Sequence, residues 1–181
     1  MAGFPNRTVI AAIRTEADFQ LALRSAPRIF FLLNSEILTL EGQLREAHDA
    51  GKQVFLHLDF ADGIGRDQSG IRYLSRLGVD GIISTRTNLI RLARECGLRT
   101  VQRFFIVDSH SVATAVEAIR SARPDMIEIM PGVLPKIVRS FRETVRVPII
   151  AGGLIETVED ADQAFSAGAS AISTARTSLW K

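Results

Sequence analysis

The chain has 181 residues, 46% of them hydrophobic, and a formal net charge of +2, which is enough apolar material for one continuous core and predicts a single domain over residues 1–181. No run approaches the roughly 18 apolar residues of a membrane span, and the N-terminus MAGFPNRTVI lacks the basic-then-apolar order of a signal peptide, so the expectation is a cytoplasmic protein with no membrane partner. The mild charge carries no electrostatic argument for nucleic acid, and the lone Cys96 excludes an internal disulfide.

Short apolar runs begin near Val9, Ile29, Val54, Gly81, Val101, Met126, Pro148 and Ala171, with amphipathic segments between them. Repeated units of roughly 23 residues are the βα repeat of a barrel, so the predicted fold is α/β, a small (β/α)8 TIM-type barrel. Their even spacing favours closure over a doubly wound open sheet. Thr15-Glu-Ala-Asp18 and Thr157-Val-Glu-Asp160 read as capping boxes with aspartate in place of the usual glutamate, Asp108 as an N-cap, and Gly51, Gly78, Gly97 and Gly168 as helix stops. Beyond the last run stands only Thr177-Ser-Leu-Trp-Lys181 where an eighth helix would cover the barrel. Trp180 is expected to pack there, and a homodimer partner to cover the rest.

The ends of the last two strands are the most telling. Pro148-Ile-Ile-Ala-Gly-Gly153 and Ala171-Ile-Ser-Thr174 stop in small or hydroxylated residues. Gly152 and Gly153 let backbone N–H groups approach an anion, and Ser173 and Thr174 add hydroxyls beside them. In such barrels phosphate sites are commonly built from the loops after strands seven and eight, so a phosphorylated small molecule is the expected ligand.

Parity sorts the remaining polar residues, because side chains alternate between the barrel interior and the helix-covered face. His57 and Asp59 share the parity opposite to Val54 and are predicted to point inward, with Asp59 nearer the mouth. Glu128 points inward between Met126 and Met130, and one of the adjacent pair Gln102 and Arg103 must do the same. Ser84, Arg86 and Gly132 stand at the mouth. Charge inside a barrel is costly unless paired, so Arg103, Asp59 and Glu128 neutralise one another or a ligand; an ion-pair network without a ligand is the plainer alternative. His57, Asp59 and Glu128 are metal-ligand types, but no spacing motif supports a metal, and neither a metal nor a cofactor is expected. Lys52 precedes a strand, Lys136 lies in a helical segment and Lys181 is the last residue, so none sits at the carboxyl end of a strand, which argues against Schiff-base chemistry.

For nucleic acid the signals are weak. Lys136, Arg139 and Arg142 recur at i,i+3 spacing, as do Arg91 and Arg94, so each set would form a basic stripe on a helix; a solvated helix face is the common meaning. No aromatic stacking platform is evident, since Tyr73 is the only tyrosine and most phenylalanines sit in apolar runs.

Taken in order, Val9-Ile-Ala-Ala-Ile-Arg14, His57-Leu-Asp59, Ile82-Ile-Ser-Thr-Arg86, Gln102-Arg103 with Asp108-Ser109, Ile127-Glu-Ile-Met-Pro-Gly132, Ala151-Gly-Gly153 and Leu179-Trp180 resemble the glycerol uptake operon antiterminator regulatory proteins. The resemblance covers nearly the whole chain; Leu33–Gly42 and Asp62–Arg66 match loosely. It implies a barrel-shaped regulator rather than an enzyme, responsive to glycerol 3-phosphate and acting on the leader messenger RNA of glycerol-metabolism operons. Gly152, Gly153, Ser173 and Thr174 would then hold the phosphate, with Asp59, Arg103 and Glu128 near the hydroxyls. The alternatives are a phosphosugar or triose-phosphate enzyme in which Asp59 and Glu128 divide acid and base roles, and a glycerol-phosphate sensor with a protein partner.

Overall fold

A computed structural model describes residues 4–181. Eight parallel strands close into a barrel: β1 (Thr8–Ile13), β2 (Ile29–Leu32), β3 (Gln53–His57), β4 (Gly81–Ser84), β5 (Arg99–Phe105), β6 (Met126–Met130), β7 (Ile149–Gly152) and β8 (Ala171–Thr174). Each strand pairs with its chain neighbours, and β1 closes the ring by pairing with both β2 and β8. Seven helices cover it: α1 (Glu16–Leu23), α2 (Ile37–Asp49), α3 (Gln68–Leu77), α4 (Thr87–Glu95), α5 (Ser109–Ala122), α6 (Pro135–Thr144) and α7 (Val158–Ser166).

The local signals act as the sequence predicts. Both Thr15 and Thr157 accept a hydrogen bond from the N3 backbone while Asp18 and Asp160 reach back, completing two capping boxes. Asp108 caps α5 in the same way with Ser111. Gly51, Gly78, Gly97 and Gly168 all take positive φ where helices stop. Cys96 is the C-cap of α4 and half-buried rather than a core thiol.

Inner-face residues fill the barrel from below. Ile10, Ile29, Phe31, Phe55, Ile83, Val101, Met126, Ile150 and Ala171 form one buried cluster, with Phe4 against Phe55 at a ring separation of 5.3 Å. Two outer clusters lie between strands and helices, one around β1 to β4 and one around β5 to β8. At the lower end Arg99 stacks over the rings of Phe4 and Phe55, while the inward-facing His57, Arg103, Glu128 and Ser173 stand toward the carboxyl ends of the strands.

No helix follows β8 among the described residues. A single 3-10 turn, Thr177–Leu179, leads to Trp180, which is 2% exposed and packs in the first outer cluster. Its indole N–H donates to the Thr174 carbonyl at 3.0 Å, and its own carbonyl accepts from Ala26 N–H at 3.3 Å. One aromatic residue thus occupies the place of a helix.

Candidate functional site

Arg103, Glu128 and Ser173 come from three strands and meet beneath the mouth. Arg103 shares the inner parity of Val101, so Gln102 faces the helices and donates to the Thr87 hydroxyl at 3.1 Å. Arg103 Nε donates to Glu128 Oε2 and the Ser173 hydroxyl donates to Oε1, both at 2.5 Å. All three residues are buried, Glu128 completely. A buried charge persists only when paired and hydrogen-bonded, and here each carboxylate oxygen has a donor. Arg103 engages the protein through Nε alone, leaving its two terminal nitrogens without a protein partner among the described residues.

Arg103 borders a cavity of about 390 Å³. Arg103, Glu128 and Ser173 line it together with Gly153, Thr174, Arg14 and Arg176. Gly152 does not reach the cavity; it lies under it. A Cβ at Gly152 would fall on the Glu128 carboxylate and the Ser173 hydroxyl, so this glycine is what admits the buried group. Gly132 packs against the Gly152 backbone from the next strand end, its N–H donating to the Gly152 and Gly153 carbonyls at 2.5 and 3.1 Å.

The loops after β7 and β8 are stitched to each other. The Thr174 hydroxyl donates to the Ile155 carbonyl at 2.7 Å and accepts from Arg176 N–H at 2.9 Å. Arg176 pairs with Glu156 at 3.1 Å. Both hydroxyl protons expected to face an anion, those of Ser173 and Thr174, are thus spent inside the protein. Backbone N–H groups and the Thr177 hydroxyl remain as neutral donors at the cavity. Gly153 and Leu154 take successive left-handed φ values of 76° and 61°; at Leu154, 66% exposed, that conformation is strained.

Asp59 corrects the parity argument. Regular alternation ends with β3 at His57, and Leu58–Phe60 form a 3-10 turn. Asp59 turns toward β4 instead of Glu128, accepting from the Ser84 hydroxyl (2.8 Å), Thr85 N–H (2.8 Å) and the Thr85 hydroxyl (2.9 Å). Arg86 Nε lies 3.8 Å away. Burial alone would raise its pKa, but the neighbouring His57 and the hydrogen bonds from Thr85 and Ser84 outweigh it and hold the carboxyl well below its ordinary range. His57 does point inward, 2% exposed, with Nε2 3.5 Å from Asp59 Oδ2 and no hydrogen-bond partner. Asp59, Ser84 and Arg86 therefore form a separate group on the far side of the mouth. Among the described residues no cluster of three or more His, Cys, Asp or Glu side chains is placed to hold a metal ion.

The basic stripes fare differently. Lys136, Arg139 and Arg142 are all exposed along α6. Arg91 is exposed, but Arg94 is half-buried and donates to the Ala122 carbonyl at 3.3 Å, at the end of α5, so α4 carries no continuous stripe. A larger recess of about 570 Å³ opens at the lower end of the barrel near Arg7, Arg142 and Arg146. Arg7 there is paired with Asp162 and stacked on Phe165, and no buried polar group lines the recess. The mouth cavity, with its buried charged floor, is the stronger candidate.

Arg176 and Glu156 escape the sequence reading, although a basic residue just past the last strand end was visible. Phe60 and Phe105 escape it too. Phe105 stands in an apolar run and Phe60 just past one, beside Asp59, yet Phe60 and Phe105 are 60% and 58% exposed at the mouth.

The model of the glycerol-3-phosphate responsive antiterminator family matches residues 9–180. A crystal structure of a glycerol uptake operon antiterminator regulatory protein from Listeria monocytogenes is similar at 34% identity and a TM-score of 0.93, covering 99% of this chain and 97% of that one. A glycerol uptake operon antiterminator-related protein from Thermotoga maritima is similar at 35% identity and a TM-score of 0.86, covering 97% and 98%. The Escherichia coli protein YgcP is 38% identical over 173 residues, 95% of this chain and 91% of that protein. The barrel, the order of its motifs and these likenesses along its whole length lead to one conclusion: the chain belongs to the glycerol-3-phosphate responsive antiterminator family.

Proposed function

We propose that this protein binds glycerol 3-phosphate in the mouth cavity and, in response, binds the leader RNA of glycerol-metabolism genes to prevent premature termination. The observation that carries the reading is Arg103: buried, fixed through Nε by Glu128, with both terminal nitrogens left for the cavity. An oriented guanidinium in a partly desolvated site suits a phosphorylated polyol. The phosphate lies at the Gly153–Leu154 turn, where backbone N–H groups are the neutral donors, with Arg14 and Arg176 supplying positive charge at the rim. The glycerol hydroxyls lie over Arg103, which the buried Glu128 holds from beneath. Ser173 and Thr174 act through what they hold in place.

Acid and base catalysis by Asp59 and Glu128 fits less well. Asp59 is fixed by three donors from the end of β4 and Thr85, and Glu128 by Arg103 and Ser173, so neither carboxylate is poised to exchange a proton with a ligand. The reading is of a regulator, cytoplasmic and without a cofactor.

Calorimetric titration with glycerol 3-phosphate, followed by gel-shift titration of a glycerol-operon leader RNA with and without it, tests both halves. Saturable binding that weakens at least about tenfold in Arg103→Lys is expected, since lysine cannot reproduce the planar fork. Identical RNA affinity in the two conditions would overturn the coupling, because a ligand shifts an equilibrium only by its unequal affinity for the two states.

A further inference from the structure

The mouth has a second half that glycerol 3-phosphate does not need. Phe60, Arg86 and Phe105 rise from the ends of three adjacent strands, β3, β4 and β5. Phe105 continues the inner parity of Val101 and Arg103, so its ring projects over the mouth rather than toward the helices. Phe60 stands on the inward His57 with ring centroids 4.9 Å apart. The two rings are 60% and 58% exposed, and the Arg86 side chain between them is 55% exposed. A small polyol phosphate offers no flat apolar surface to such a pair, and two phenylalanines left more than half in water forgo much of the hydrophobic gain of burial.

We propose that this arc is where single-stranded RNA meets the protein, with unpaired bases stacking on Phe60 and Phe105 and Arg86 contacting the intervening backbone. The inference rests on the RNA-binding function proposed above and assigns its surface. Two exposed aromatic rings with a guanidinium on the strand between them are the chemistry that recognises splayed bases and the phosphate between them. The charge suits a polyanion: Arg86 here and Arg14 and Arg176 across the mouth are all exposed; Arg176 shares its charge with Glu156 at the surface, and Asp59, 3.8 Å from Arg86, already accepts from Ser84 and Thr85. The placement also gives the ligand a direct route to RNA affinity, since both occupants share one rim and each can alter the other's binding reciprocally. The α6 stripe of Lys136, Arg139 and Arg142 has charge but no exposed aromatic ring on its face.

Gel-shift titration of the leader RNA with Phe60→Ala, Phe60→Leu, Phe105→Ala and Phe105→Leu is the test, with calorimetry of glycerol 3-phosphate and light scattering on the same preparations. Each alanine variant is expected to bind RNA roughly 5- to 100-fold more weakly, the range of one lost stack, with glycerol 3-phosphate affinity unchanged. Leucine should fail to restore binding, because stacking needs the ring. Wild-type RNA affinity in the variants would overturn the arc and leave the function standing; absence of RNA binding by the parent protein would remove both. Restoration by leucine, or a change of oligomeric state in the variants, would overturn it in favour of an apolar contact between protein chains.

Discussion

At Gly152 the difference between hydrogen and methyl decides whether the buried Arg103–Glu128–Ser173 group can exist. The space a Cβ needs is already filled by the Glu128 carboxylate and the Ser173 hydroxyl. Gly152→Ala should therefore destabilise the protein by about 1–3 kcal/mol, as overpacking does, and lower its melting temperature by several degrees. Displacing Glu128 also frees Arg103 to swing from the cavity, so glycerol 3-phosphate affinity should fall at least about tenfold by calorimetry. A variant that melts lower but binds the ligand as the parent does would separate the buried group from recognition. Glycine at this position is thus a packing requirement, distinct from the neighbouring Gly153, whose positive φ shapes the rim.

At the level of elements, Asp59 clamps the turn after β3 to the end of β4. Its carboxyl binds a proton more weakly in the folded protein than in the unfolded chain, where its ordinary pKa is 3.8. Acid therefore favours unfolding, and the stability the clamp contributes is full above about pH 5 and drains as pH falls through and below the unfolded value. Asp59→Asn should be less stable than the parent at neutral pH, with the gap narrowing below about pH 4; chemical denaturation across that range measures it, and a gap independent of pH would remove the clamp. The same turn shows where the sequence stops being legible. Apolar runs mark every barrel strand, and alternation correctly turns Glu128 and His57 inward because each lies within its strand. At Asp59 the strand has ended, so parity no longer applies. Phe60 and Phe105 stay hidden for another reason: a phenylalanine in or just past a strand's apolar run looks like core, and only the closed barrel shows that these two lie above it.

For the whole molecule, ligand binding at the mouth should register as global stability. A ligand at a hundred times its dissociation constant stabilises the native state by about 2.7 kcal/mol when it binds only that state. For a domain of this size that is roughly 5–10 °C in melting temperature. Differential scanning calorimetry with glycerol 3-phosphate against glycerol and inorganic phosphate would check this: the full rise should require the complete ligand, and equal rises for inorganic phosphate and glycerol 3-phosphate would reduce the site to a generic anion pocket.

The sole tryptophan of the chain gives the gap beyond β8 an optical meaning. Trp180 is held by the carbonyl of Thr174, a residue that itself lines the ligand cavity. Its emission therefore comes from one defined, water-poor place within a hydrogen bond of the mouth. The protein carries its own fluorophore at the point where occupancy of the site would first be felt.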